Sequence, residues 1–152
     1  MPVVGSQWNE IRAVRNNVKL PVKIKQINRD VKIKNITEKP SPIVGGNQKM
    51  LSFEFEFKVS YILEGTGKRK TNLGEIYLNG EILFIDKKEK IAAILKDWKK
   101  KKISDDVMRE VLQVALDQSH VESMNLAQKI MLPSPIPLPV LQRRTETSGY
   151  IG

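Results

Sequence analysis

Cysteine is absent from the 152-residue sequence, and histidine occurs once, at His120. Without cysteine the chain can form no disulfide framework, thiolate zinc site, iron–sulfur cluster or cysteine nucleophile. No apolar run approaches the ~20 residues that a membrane-spanning helix needs. The first residues also lack the basic-then-apolar layout of a signal peptide. We therefore expect a cytoplasmic protein without a membrane span.

Acidic residues are scarce: 17 Asp and Glu stand against 26 Lys and Arg, which gives a formal net charge of +9. Residues 1–50 hold ten basic and three acidic side chains, and residues 85–103 hold eight and three. The other segments are nearly neutral or acidic. Such a distribution favours a polyanionic partner, nucleic acid first and an anionic lipid surface second.

Apolar and basic residues alternate over residues 18–25, which predicts a strand with one apolar and one basic face. Pro21 cannot donate a ladder hydrogen bond, so this strand is expected at an edge of its sheet. Residues 31–34 repeat the alternation, either as a hairpin partner of this strand or as its continuation past a bulge.

The clearest strand signal covers residues 51–63, where every second residue is apolar. Residues 64–72 form a polar hairpin loop by composition. A partner strand is predicted from about residue 73 to 85, in which Gly80 is a candidate bulge position.

Three phenylalanines, Phe53, Phe55 and Phe57, share one face of the predicted strand 51–63. Aromatic residues exposed among basic ones would form a base-stacking platform for RNA. Here Glu54 and Glu56 occupy the other face, where they would repel phosphate. We therefore interpret the phenylalanines as core residues and the glutamates as a solvated face.

Two helices are predicted after the strands. Asp86 and Glu89 have the spacing of a capping box, and residues 91–98 carry a core-facing apolar stripe. Ser104 and the acidic residues after it begin a second helix. That helix is either continuous or slightly kinked near residues 118–120.

Residues 1–17 carry Trp8, Ile11 and Val14 at a spacing of three, which predicts either a short amphipathic helix or an ordered basic arm. After this arm we expect a single domain over residues 18–140 and a polar tail over residues 141–152. The domain ends in a proline-rich segment, residues 132–139, which favours polyproline II geometry. Strands precede helices, which indicates an α+β fold: an antiparallel sheet of about four strands followed by two helices packed on one face.

No catalytic constellation is recognisable. His120 has no second histidine as a metal partner, so we interpret it as a helix-surface or capping residue. Gly65 and Gly67 stand in a hairpin loop, whereas a phosphate-binding loop needs a strand before it and a helix after it. We expect no enzyme activity, cofactor or metal.

Basic residues cluster on the arm, the edge strand, the hairpin tip, the end of the first helix and the tail. At the helix end they also suit the helix dipole. Long cationic side chains at these places could contact RNA phosphates, and the release of counterions would make such binding strongly dependent on salt. The candidate RNA-binding residues are Arg12, Arg15, Lys19, Lys23, Lys25, Lys68, Arg69, Lys70, Lys99, Lys100, Lys101, Lys102, Arg143 and Arg144.

The order of predicted elements over residues 18–140 resembles the SecB-like fold. Residues 125–139, NLAQKIMLPSPIPLP, are similar to the helix end and spaced prolines of archaeal proteins of this type. The resemblance implies a chaperone, often oligomeric, that holds unfolded polypeptides in apolar grooves. It would place such a groove at Phe53, Phe55, Phe57 or the proline-rich segment.

The net charge of +9 departs from the acidic character of bacterial SecB. We therefore predict a non-enzymatic RNA-binding protein, a structural or accessory component of an archaeal ribosome. Its partners would be ribosomal RNA and neighbouring ribosomal proteins. The alternative is a SecB-like chaperone whose partners are unfolded polypeptide clients. A DNA-binding or toxin–antitoxin-linked chaperone ranks below both, and an enzyme ranks last.

Overall fold

Four strands are followed by two helices in the computed structural model, which describes residues 3–17, 23–40, 46–64 and 72–136. The predicted α+β class is confirmed. The strands are β1 (Val3–Arg15), β2 (Ile24–Lys39), β3 (Gln48–Leu63) and β4 (Asn72–Lys87). The helices are α1 (Lys88–Lys99) and α2 (Asp105–Lys129).

All four strands form one antiparallel sheet in the order β1-β4-β3-β2. Strands β3 and β4 are central, and β1 and β2 are the two edges. The basic strand predicted at an edge spans residues 18–25, and only its last two residues belong to β2, which within the described sheet pairs with β3 alone. Pro21, on which that prediction rested, lies outside the described residues.

Both helices cover the same face of the sheet, and the core lies between the two layers. Alternate residues of β3 and β4 point into this core because side chains of a strand alternate between faces. Phe53, Phe55 and Phe57 are at most 1% exposed there, which confirms their interpretation as core residues. Since helices cover these rings, they form no open groove, and of the two places that the SecB-like resemblance implies only the proline-rich segment is left.

Helix α1 begins without the predicted capping box. Its N-cap is Lys87, and no side chain caps the helix. Asp86 precedes the N-cap by one residue. Its carboxylate accepts a hydrogen bond from the backbone N–H of Lys87 at 2.8 Å and pairs with the Lys90 ammonium at 3.2 Å. Helix α2 begins after Ser104 with an acidic first turn, as predicted, and runs unbroken for 25 residues.

The buried side of α2 carries small residues, which let the helix approach the sheet closely. They are spaced by four, the spacing that places residues on one side of a helix. The buried residues of α2 are Val107, Val111, Ala115, Ser119, Ser123 and Ala127.

Neither α2 nor α1 is long and apolar enough to cross a membrane.

Residues 3–15 form the edge strand β1, not the helix or arm that the sequence pattern predicts. β1 pairs with β4 along its length, with a bulge between Trp8 and Glu10. The bulge breaks the alternation of faces. Trp8 and Ile11 therefore both lie on the side of the helices, whereas Val14 lies on the opposite face.

The basic alternation after residue 23 belongs to one long strand, β2, so residues 31–34 continue it and form no hairpin partner. Two register shifts, between Ile24 and Gln26 and between Ile33 and Asn35, interrupt its pairing with β3. Gly80 is not itself bulged. It lies opposite Trp8, beside the bulge of β1.

Candidate functional site

Exposed apolar side chains collect along the outer edge of β1. Among the described residues, five large apolar side chains are between 44% and 78% exposed. Three belong to β1, one to α2 and one to the residues just after α2. We call this set the apolar edge: Val4, Ile11, Val14, Val121 and Met131.

The two members outside β1 lie beside that strand. Val121 lines a common cavity with Ser6 and Trp8 of β1. The Arg15 guanidinium, at the end of β1, donates to the carbonyl oxygen of Met131 at 3.1 Å. The apolar edge therefore follows one edge of the sheet and has members on both faces, with Val14 on the face opposite Ile11.

A groove between β1 and α2 is lined in part by Val121 of the apolar edge. Its volume is about 520 Å³. The Trp8 ring is fixed there by an edge-to-face contact with Phe55, at 5.6 Å between centroids. The groove combines apolar surface with two carboxylates. Its lining residues are Ser6, Trp8, Asp117, Gln118, Val121 and Glu122.

The two edges of the sheet differ in chemistry. β2 bears no exposed large apolar side chain, and charged residues line it from end to end. Charges on an edge strand, lysine above all, discourage the addition of another strand. β1 has no such run of charge, so it is the edge that is open to pairing. The exposed charged residues of β2 are Lys25, Arg29, Asp30, Lys32, Lys34, Glu38 and Lys39.

A second grooved region lies at the end of α2. The buried Tyr61 hydroxyl donates to the carbonyl oxygen of Pro133 at 2.7 Å, which holds the chain after the helix against the sheet. Burial raises the pKa of Tyr61 to about 12. Cavities of about 390 and 470 Å³ both include Ser134 in their linings. The described part of the proline-rich segment therefore contributes to a partly apolar groove, with Met124, Ala127, Leu132, Ile24, Ile27 and Pro135 along it.

The face of the sheet opposite the helices is polar, and Glu56 is buried in it at 5% exposure. Its Oε1 accepts from the Tyr77 hydroxyl at 2.8 Å and from the Lys34 ammonium at 3.0 Å. The Lys32 ammonium lies 3.6 Å from Oε2. Burial tends to raise the pKa of Glu56, but the hydrogen bonds from Tyr77 and Lys34 outweigh it and keep that pKa below its ordinary value. The expectation of a fully solvated face is wrong for this residue.

Arg12 and Arg15, two of the predicted RNA-binding residues, both make contacts within the protein. The Arg12 guanidinium lies 3.1 Å from the Glu10 carboxylate and 4.7 Å from the centre of the Tyr77 ring. Arg15 donates to the carbonyl oxygens at the end of α2, among them that of Met131. Arg15 therefore joins the end of β1 to the end of α2.

The other described candidates lie on different parts of the molecule. Lys23 and Lys25 are exposed beside and on β2, three strand spacings or about 14 Å from β1. Lys99–Lys102 are exposed at the end of α1, in the helix layer. The structure thus does not gather the described candidates into one surface. Lys19, Lys68, Arg69, Lys70, Arg143 and Arg144 lie outside the described residues.

Sequence reasoning missed the apolar edge because it missed β1. Two register shifts, between Val3 and Gly5 and between Trp8 and Glu10, leave no long run with a period of two. The composition of residues 3–15 does indicate a strand, because the segment is rich in β-branched residues and contains a tryptophan.

No protein-family model and no curated protein matches the chain. Among solved structures, the chain is similar to the SecB-like chaperone Rv1957 of Mycobacterium tuberculosis, solved in complex with a ChAD peptide from the Rv1956 HigA1 antitoxin. The similarity covers 92% of this chain and 93% of that chain, at 12% sequence identity and a TM-score of 0.38. A SecB-like chaperone is therefore a structural neighbour of this chain, and a ribosomal or archaeal origin stays a prediction.

Proposed function

We propose that the chain is a non-enzymatic, SecB-like chaperone that holds extended segments of unfolded polypeptides. The observation that carries the proposal is the apolar edge. All five exposed large apolar side chains of the described residues lie on or beside a strand whose outer side is unpaired in the described sheet.

An extended polypeptide fits this edge in two ways. Its backbone can pair with the outer N–H and C=O groups of β1, which supply affinity that does not depend on sequence. Roughly half of the 13 residues of β1 direct these groups outward, because the groups alternate along an antiparallel strand. Its side chains can contact Ile11 on one face of the sheet and Val14 on the other.

Backbone pairing with shallow apolar contacts suits a protein that holds many clients and recognises no single sequence. The groove beside Trp8 and the grooved region around Ser134 offer further apolar contact for the same clients. Neither groove requires a reaction, so the proposed chaperone activity consists of holding and release.

The test is suppression of aggregation. An aggregation-prone protein is diluted from guanidinium chloride, and light scattering is followed with and without the chain. We expect the wild-type chain to slow aggregation and the double variant Ile11→Lys, Val121→Lys to lose most of this effect, since charge on an edge opposes strand addition. The matched control combines Asn28→Lys with Thr37→Lys, at two exposed positions on β2, which adds the same charge and should behave as wild type.

An unaltered rate of aggregation with the wild-type chain would sink the proposal, as would full activity of the double variant. The oligomeric state is measured in parallel. A wild-type dimer that becomes a monomer in the double variant would assign the apolar edge to a second copy of the chain.

Contact with ribosomal RNA is the second candidate function. The net charge of +9 favours it, as do Lys99–Lys102, which make no ion pair with the described residues. Co-sedimentation with ribosomes at low salt and release at high salt is the expected result. Absence of co-sedimentation at low salt would contradict it.

A further inference from the structure

Helix α1 carries a line of lysines along its solvent side. Lys88, Ala92, Lys96 and Lys99 follow one another at spacings of four, four and three, which places them on one side of a helix. All four are exposed. The line is about 17 Å long at the rise of an α-helix. We call Lys88, Lys96 and Lys99 the lysine ridge.

The basic surface continues past the end of the helix. The chain turns at Lys101, whose φ is 55°. The backbone N–H groups of Lys100 and Lys102 both donate to the carbonyl oxygen of Asp97, at 3.1 and 2.9 Å. Because these bonds use only backbone groups, the exposed side chains of Lys100–Lys102 remain directed to solvent.

The stability of the helix explains only part of the lysine ridge. A cation near the C-terminus of a helix stabilises it, which accounts for Lys96 and Lys99. Lys88 is at the N-terminus, after Lys87 as N-cap, where the dipole disfavours a cation. Among the described residues, Lys90 is the lysine of α1 that has an ion pair, with Asp86, and it lies off the ridge. A residue that destabilises its own helix, as Lys88 does, is expected where it serves a function.

We infer that the lysine ridge contacts the phosphate backbone of a nucleic acid. Glu89 is the one exposed carboxylate on this side of the helix, so the ridge stays positive. The side chain at position 92 is only a methyl group, which leaves the line open to a flat or extended polyanion. A membrane fits less well, because an interfacial helix needs bulky apolar residues on its lipid side. In α1, Ile91 and Ile94 are buried in the core.

This inference extends the second candidate function, contact with RNA, to the solvent side of α1. It does not depend on polypeptide binding, and its test has a separate readout. Binding of a fluorescent 20-nucleotide RNA is measured by anisotropy over a salt series. The triple variant Lys88→Gln, Lys96→Gln, Lys99→Gln is compared with a control of equal charge change away from the ridge, at three exposed residues outside the candidate RNA-binding set: Arg29→Gln on β2 with Arg109→Gln and Lys129→Gln on α2. Glutamine is a good helix former and keeps α1 intact, which circular dichroism checks.

If each ridge lysine contacts one phosphate, log K decreases less steeply with log salt in the ridge variant. The magnitude of the slope should be smaller than in the wild type by about 2. Affinity then falls on the order of 100-fold at 0.1 M salt. The control should stay within a few-fold of wild type, and a DNA of the same sequence should bind comparably, since a backbone contact does not read bases. Equal losses in both variants, or a greater loss of binding to anionic lipid vesicles than to RNA in the ridge variant, would overturn the inference.

Discussion

Gly80→Ala tests the close approach of β1 to β4. A methyl group at this position would stand 2.8 Å from the carbonyl oxygen of Gln7, 2.9 Å from Trp8 Cε3 and 3.1 Å from Phe55 Cε1. The nearest atom belongs to the backbone and cannot rotate away, so β1 itself must move. Overpacking of this kind costs roughly 2–3 kcal/mol. The midpoint of urea unfolding should therefore fall by about 1 M or more for a protein of this size.

Gly5→Ala is the control within the same pair of strands. The nearest atom to a methyl group there is Leu83 Cδ1 at 3.8 Å, an ordinary contact. Alanine also restricts the unfolded chain more than glycine does, so stability should stay within about 1 kcal/mol and tend upward. Both variants are compared by urea unfolding followed by circular dichroism. Equal stability of Gly80→Ala and the wild type would refute the packing of β1 described here.

Three further variants test contacts around the candidate site. Tyr61→Phe removes the hydrogen bond to Pro133 and should cost about 1 kcal/mol in the free energy of unfolding at pH 7. Because the pKa of Tyr61 is raised to about 12, wild-type stability should fall as pH rises from 10 toward 12, and Tyr61→Phe should lack that part of the decline. Glu56→Gln removes the charge held by Lys34 and should cost roughly 1.5 kcal/mol at pH 7. Since the pKa of Glu56 is lowered, this difference should shrink as pH falls below about 4.5, and a constant difference would contradict the assignment. Arg15→Gln should lower the thermal midpoint by a few degrees by freeing the end of β1 from α2, and an unchanged midpoint would argue against that link.

The sheet-and-helix core could be predicted from the sequence because its elements obey simple periods. Residues 51–63 alternate without interruption, and the first helix shows an apolar stripe at helical spacing. Long unbroken patterns of this kind identify an element and its buried face together. The count of about four strands agrees with the structure only because two errors cancel: residues 24–25 and 31–34 belong to one strand, and β1 was not recognised as a strand.

The candidate site could not be predicted because it depends on irregularities and on long-range pairing. A bulge beside Trp8 disguises β1, and the pairing of β1 with β4 joins residues about 70 positions apart in the sequence. Which strand becomes the open edge follows from the sheet order, and no local pattern encodes that order. Glu56 was misjudged for a similar reason, since Lys32 and Lys34 reach it from the neighbouring strand.

The unequal edges of the sheet limit how large an assembly this fold can build. Filaments grow by repeated head-to-tail contact, in which one edge of each copy pairs with the other edge of the next. Here the charged edge of β2 opposes that contact. A sheet extended at β1 by a second copy would therefore have the charged strand β2 at both of its outer edges. An exposed apolar strand is ordinarily an aggregation hazard, and the charge on the opposite edge favours a closed pair of copies over an open-ended fibre.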